Sequence, residues 1–121
     1  MMRALFRYGL TGAFATAVHY AVLIVWVEVF GWPAFIGAGL GAIVGAQVAF
    51  FGNRRFTFAH DGAIAPAWAK FQGTAVLGAL LGMAVVALGV RWGWHYLAAQ
   101  VLATLLGMLL TFAINRAWTF R

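Results

Sequence analysis

Residues 29–53 read VFGWPAFIGAGLGAIVGAQVAFFGN, a run of 25 residues without a charge, and Arg54 and Arg55 follow at once. An α-helix rises about 1.5 Å per residue, so roughly 20 residues cross the hydrocarbon core of a bilayer. A soluble helix of this length would carry a charged face, and this one has none. Gly37, Gly41 and Gly45 recur at every fourth position, a small-residue stripe that lets a neighbouring helix approach closely. The stretch is therefore a membrane-spanning helix that packs along its glycine face.

Three more stretches share its character. Residues 8–27, 71–90 and 92–115 are free of Asp, Glu, Lys and Arg. Transmembrane β-strands would be shorter and would alternate in polarity, and these runs do neither. The 121 residues are 65% hydrophobic and 8% charged, against about a quarter charged in ordinary soluble domains, so the surplus apolar surface must face lipid. The absence of cysteine excludes disulfides and thiolate-metal sites. The net charge of +6 does not point to nucleic acid, because the basic residues flank apolar spans instead of covering a polar face. Arg3 and Arg7 before an apolar run resemble the start of a signal peptide. The run is long for one and its pattern returns later, which predicts a retained helix.

The chain repeats itself. A shift of 62 residues places Gly31-Trp32 on Gly93-Trp94, Phe50 on Phe112, and Asn53-Arg54-Arg55-Phe56-Thr57-Phe58 on Asn115-Arg116-Ala117-Trp118-Thr119-Phe120. The same shift sets Gly37, Gly41 and Gly45 on Ala99, Ala103 and Gly107. For the first and third spans a shift of 65 aligns Phe6 with Phe71, Ala13 with Gly78 and Ala17 with Gly82. The reading is an all-α membrane protein with four transmembrane helices, arranged as two tandem helical-hairpin repeats of the same orientation. It forms a single domain over 1–121, with repeats at about 5–58 and 70–120. An even number of spans per repeat relates the two by a pseudo-two-fold along the membrane normal.

Seven cationic residues (Arg3, Arg7, Arg54, Arg55, Lys70, Arg116, Arg121) fall on one side of this topology and Arg91 alone on the other. The positive-inside rule places the seven in the cytoplasm, with both termini, in the inner membrane. Residues 59–69 become the cytoplasmic connector, with Gly62 and Pro66 as loop residues. Trp32, Trp92 and Trp94 belong at the outer interface, and Phe58, Trp68 and Trp118 at the inner one.

The basic-aromatic start Phe6-Arg7-Tyr8-Gly9 with Gly12, the four spans, and N-R-x-[FW]-T-F after the second and fourth resemble the GtrA-like family. The resemblance covers nearly the whole chain. It implies a role in cell-surface polysaccharide or O-antigen modification, by moving a polyprenyl-phosphate-linked sugar between leaflets. A separate membrane glycosyltransferase would make that lipid.

The polar residues fit a binding protein better than an enzyme. Glu28 and Asp61 lie at opposite membrane faces, and His19, His60 and His95 lie in a span, a loop and the outer side, so neither an acid–base pair nor a metal cluster assembles. No phosphate-cradling motif of an ATPase occurs, and no cofactor is expected. The candidate substrate-binding residues are Arg7, His19, Asn53, Arg54, Arg55, Asn115 and Arg116. Arginine donates two parallel hydrogen bonds to one phosphate, while the bland alternative makes these residues topology anchors and helix caps. His19 stands about 18 Å beyond Arg7 along the first helix, and an ionisable group at that depth is a functional candidate or a hydrogen-bonded packing residue. Gln47, Gln72 and Gln100 are expected to hydrogen-bond between helices, and Glu28 and Arg91 to approach each other on the outer side.

Three functions compete. The first is a flippase for a polyprenyl-phosphate-linked sugar, whose partners are that substrate, membrane lipid, a membrane glycosyltransferase and a second copy in a homo-oligomer. The second is a non-transporting scaffold for such a glycosyltransferase. The third is a small multidrug-type antiporter, disfavoured because Glu28 sits at a helix end and the charge bias opposes inverted insertion.

Overall fold

The computed structural model describes residues 2–52, 54–55 and 64–114. Its regular structure over that range is all helical. Helix α1 spans Met2–Ile24 and runs into a π-helical turn at Val25–Val29; α2 spans Ala34–Gly52, α3 Ile64–Arg91 and α4 Tyr96–Ile114. Each contains a stretch long and apolar enough to cross a membrane: Gly9–Val29, Ala34–Gly52, Trp68–Arg91 and Tyr96–Ile114. The chain is a multi-pass membrane protein. The connector before α3 is shorter than the sequence suggests, because Ile64 already begins the helix. Pro66 falls in the first turn, where a missing N–H breaks no helical bond.

Helices consecutive in sequence pack side by side, α1 on α2, α2 on α3 and α3 on α4, whereas α1 and α4 do not pack closely along their length. Small residues make the packing close. A Cβ placed on Gly37 would stand 2.8 Å from the Trp26 ring, and one on Gly45 would stand 3.0 Å from the Ala15 carbonyl oxygen. On the other side of α2, Gly39 meets the Met83 thioether of α3, and Gly89 of α3 meets Ala99 of α4. In lipid no hydrophobic force drives helices together, so this close van der Waals fit carries the association. The core is correspondingly thin. Leu23, Ala38, Val86, Ala99 and Ala103 form it, towards the end where the two hairpins turn. Leu80, Leu105, Leu109 and Phe112 are exposed and form the lipid-facing surface.

The two turns are built alike. Gly31 (φ 68°) and Gly93 (φ 90°) both take the left-handed conformation, 62 residues apart, and each is followed by a tryptophan. Their closing hydrogen bonds differ by one residue. The Gly93 and Trp94 amides donate to Val90 and Gly89, three and five residues back, whereas the Gly31 and Trp32 amides donate to Val27 and Trp26, four and six residues back. The π turn at Val25–Val29 supplies the extra residue, because it adds one position to the helical ladder. Before the turns the matching offset is therefore 63: Leu23 and Val86, both fully buried, stand 63 apart.

Candidate functional site

Glycine packing brings α1 and α2 together at the end of the bundle opposite the turns, the basic end. Gly52 lies so close to α1 that an added Cβ would stand 2.6 Å from the Thr11 methyl. Around this contact opens a cleft of about 500 Å³, lined by Arg7, Leu10, Thr11 and Phe14 of α1, by Val48 and Gly52 of α2, and by Arg55. Arg7 and Arg55 are both exposed. Two guanidinium groups, a hydroxyl and an apolar wall thus share one opening. This is a fitting receptor for a phosphate carried on a hydrocarbon chain. The guanidinium forks match phosphate geometry, and their aliphatic stems lie along lipid while the charge reaches the interface.

A second cleft of about 720 Å³ occupies the corresponding place between α3 and α4. Lys70, Gly73, Thr74 and Leu77 line it at an offset of 63 from Arg7, Leu10, Thr11 and Phe14. It presents one cation and a different wall, Ala113 and Ile114. In the sequence Lys70 reads only as a topology charge, and Thr11 and Thr74 do not stand out. The signal that would have found them is a basic residue followed one helical turn later by threonine, once in each hairpin.

The candidate residues do not all meet. Arg7 and Arg55 share the first cleft. Arg54 is turned partly inward, and its buried Nε has no hydrogen-bond partner among the described residues. Asn53, Asn115 and Arg116 lie outside the described residues. His19 is elsewhere, half-buried against Gly41 and Gly45 of α2. Its ring lies near the Ala38 backbone, yet its buried Nε2 makes no hydrogen bond of ordinary geometry to any described residue.

The other polar residues divide into two groups. Gln47 and Gln72 satisfy each other across α2 and α3, with Gln47 Nε2 donating to Gln72 Oε1 at 2.6 Å and Gln72 Nε2 to Gln47 Oε1 at 3.2 Å. Gln100 does not reach a neighbouring helix through its amide, contrary to expectation. Its Nε2 donates to Thr104 Oγ1 of the same helix at 3.3 Å. The link to α1 is made by Tyr20, whose hydroxyl lies 2.7 Å from Thr104 Oγ1 and donates to the Gln100 carbonyl at 3.4 Å. Nearer the turns, Glu28 accepts a 2.8 Å hydrogen bond from the Tyr96 hydroxyl, which gives it a partner on α4 other than the anticipated Arg91.

Comparison with known proteins gives one result for this arrangement. The family model described as GtrA/DPMS, transmembrane domain, matches residues 7–120. No curated protein and no solved structure matches.

Proposed function

The chain belongs to the GtrA/DPMS transmembrane-domain family, and on that premise we propose that it flips a polyprenyl-phosphate-linked sugar across the inner membrane for cell-surface polysaccharide or O-antigen modification. The family is linked to polyprenyl-phosphate sugars and membrane lipid. The observation that carries the finer reading is the cleft shared by Arg7 and Arg55. A lipid phosphate needs positive charge at the interface and an apolar route for its tail, and both converge there. The protein captures and moves its ligand without bond chemistry. The seven-to-one distribution of cationic residues orients the basic end to the cytoplasm, where a lipid-linked sugar is made. Four short helices enclose little volume, which favours a homo-oligomer or a membrane glycosyltransferase as partner.

The test uses the purified protein alone in vesicles containing a polyprenyl phosphate that carries one glucose. Transfer of the glucose between leaflets is expected with the wild type and not with a variant carrying Arg7→Gln and Arg55→Gln. Binding without transfer would favour the scaffold role. Failure of the wild type to bind the lipid, with phosphatidic acid as the competing phosphate lipid, would overturn the reading.

A further inference from the structure

The face that α1 turns to α4 changes character along its length. Gly12, Thr16, Tyr20 and Leu23 follow one another at four, four and three residues, so they share one stripe of α1 about 16 Å long. Gln100, Thr104, Gly107 and Thr111 do the same on α4 at four, three and four. The helices run in opposite directions and the Tyr20–Thr104 bond sets their register. Leu23 therefore falls near Gln100, Thr16 near Gly107, and Gly12 near Thr111.

At the turn end this seam is shut: Leu23 is 0% exposed and Gln100 2%. Towards the basic end the same two faces are open. Thr16 and Thr111 are exposed, and a Cβ built on Gly12 or Gly107 meets nothing within 4 Å. Small and hydroxyl-bearing side chains line the open part. At its inner limit lies the Tyr20, Thr104 and Gln100 cluster, in which either hydroxyl can be the donor. There the buried Gln100 Oε1 has no hydrogen-bond partner among the described residues. An orphaned amide oxygen in a low-dielectric interior is costly unless something completes it. The Gln47–Gln72 pair, in contrast, is mutually hydrogen-bonded, and neither side chain leaves a buried atom without a partner.

We propose that the seam between α1 and α4 is the path of the sugar head group, entered from the basic end, with Gln100 Oε1 and the Tyr20 and Thr104 hydroxyls receiving the sugar hydroxyls. This rests on the reading of the protein as a carrier of lipid-linked sugar and assigns the part of the molecule that recognises the sugar. A hydroxyl group donates to the orphaned oxygen and exchanges partners with the Tyr20–Thr104 pair, so no polar group of the cluster is stranded during passage. The Tyr96–Glu28 hydrogen bond closes the seam at the turn end.

The chain has no native cysteine, so single cysteines report without background. Thr16→Cys and Thr111→Cys should react with a charged methanethiosulfonate supplied at the basic side, and not from the turn side. Leu109→Cys, at similar depth but on the lipid face of α4, should not react from either side. A polyprenyl phosphate carrying one glucose should slow the reaction of Thr111→Cys about fivefold more than bare polyprenyl phosphate does, the contribution of roughly one net hydrogen bond. Gln100→Leu should remove that difference while bare-lipid binding persists. Unreactive cysteines at both threonines would overturn the seam as a polar path. Equal protection by the two lipids, with bare-lipid binding intact, would overturn sugar recognition alone. Loss of bare-lipid binding by the wild type would instead overturn the function on which the inference rests.

Discussion

Gly41 of α2 lies against the backbone of His19 in α1: a Cβ on Gly41 would stand 2.6 Å from the His19 carbonyl oxygen and 2.5 Å from its Cδ2. The imidazole can swing aside, but a carbonyl in mid-helix cannot. Gly41→Ala should therefore destabilise the protein by about 1–3 kcal/mol, the range for overpacking a close fit. Gly41→Leu and Ala103→Leu should go further and lower the folded yield. Gly78→Ala is the control, since nothing lies within 4 Å of the added carbon. It should leave stability unchanged or raise it by about 0.5–1 kcal/mol, because alanine is the better helix former. Thermal unfolding in detergent reads all four. Equal behaviour of Gly41→Ala and Gly78→Ala would mean that α1 and α2 do not meet at this contact.

The turn glycines are constrained by conformation and not by space. Nothing lies within 4 Å of a Cβ at Gly31 or Gly93, yet both have positive φ. Alanine at either site should cost about 1–3 kcal/mol of backbone strain. Asparagine, larger but tolerant of the left-handed region, should cost less than alanine. If asparagine destabilises as much as alanine at both sites, crowding and not φ governs the turns.

The Gln47–Gln72 pair should behave as a unit. Gln47→Leu alone strands the Gln72 amide, and Gln72→Leu leaves Gln47 only its 3.4 Å bond to the Ile43 carbonyl of its own helix. The double variant strands neither and should recover part of each loss. A double-mutant cycle on unfolding in detergent should give a coupling near ~0.6 kcal/mol, the average for hydrogen bonds between membrane helices. Strict additivity would show that the amides do not sense each other.

Much of this architecture is legible in the sequence, because a bilayer imposes lengths that charges punctuate. Arg7, Glu28, Arg54, Lys70 and Arg91 mark where spans end, and the Gly37, Gly41 and Gly45 spacing marks the face that α1 covers. The site is less legible. Arg7 belongs to α1 and Arg55 follows the end of α2, and only the fold brings them to one cleft. Asn53, Asn115 and Arg116, which carry much of the family motif, lie outside the described residues. The polar residues between α1 and α4 are no more legible, because Thr16, Tyr20 and Thr104 are single polar residues in apolar runs, where they carry no periodic signal. The π turn at Val25–Val29 is equally invisible, because it adds a residue without breaking the helix and hydrophobic patterning does not register that.

Orientation rests on the cationic asymmetry and is open to direct measurement. Cysteine at Ala69, exposed beside Lys70 at the basic end, should be labelled only from the cytoplasm. Cysteine at Trp92, exposed at the second turn, should be labelled only from the opposite side. Replacing neither residue alters the charge count, so the label does not disturb what it reports. Labelling of both positions from both sides would mean dual insertion, and would return the antiporter reading to consideration.

The cleft shared by Arg7 and Arg55 separates phosphate recognition from anchoring by the identity of the cation. A topology anchor requires positive charge alone, so Arg→Lys should leave an anchor intact. A phosphate held by a guanidinium fork loses its bidentate geometry when the fork becomes an ammonium, although the charge remains. Purified wild type, Arg55→Lys and Arg55→Gln should therefore bind polyprenyl phosphate in that order of decreasing affinity. The Gln variant should lose about tenfold or more, the scale of a charge-assisted hydrogen bond. Arg7→Lys and Arg7→Gln should follow the same order, because both side chains line the same opening. Lys70→Gln, in the second cleft with its single cation, should weaken binding less. Insertion should survive every one of these changes, since at least six of the seven cationic residues on that side remain. Full rescue by lysine at both arginine positions would assign the two residues to anchoring, and the phosphate site would have to lie elsewhere.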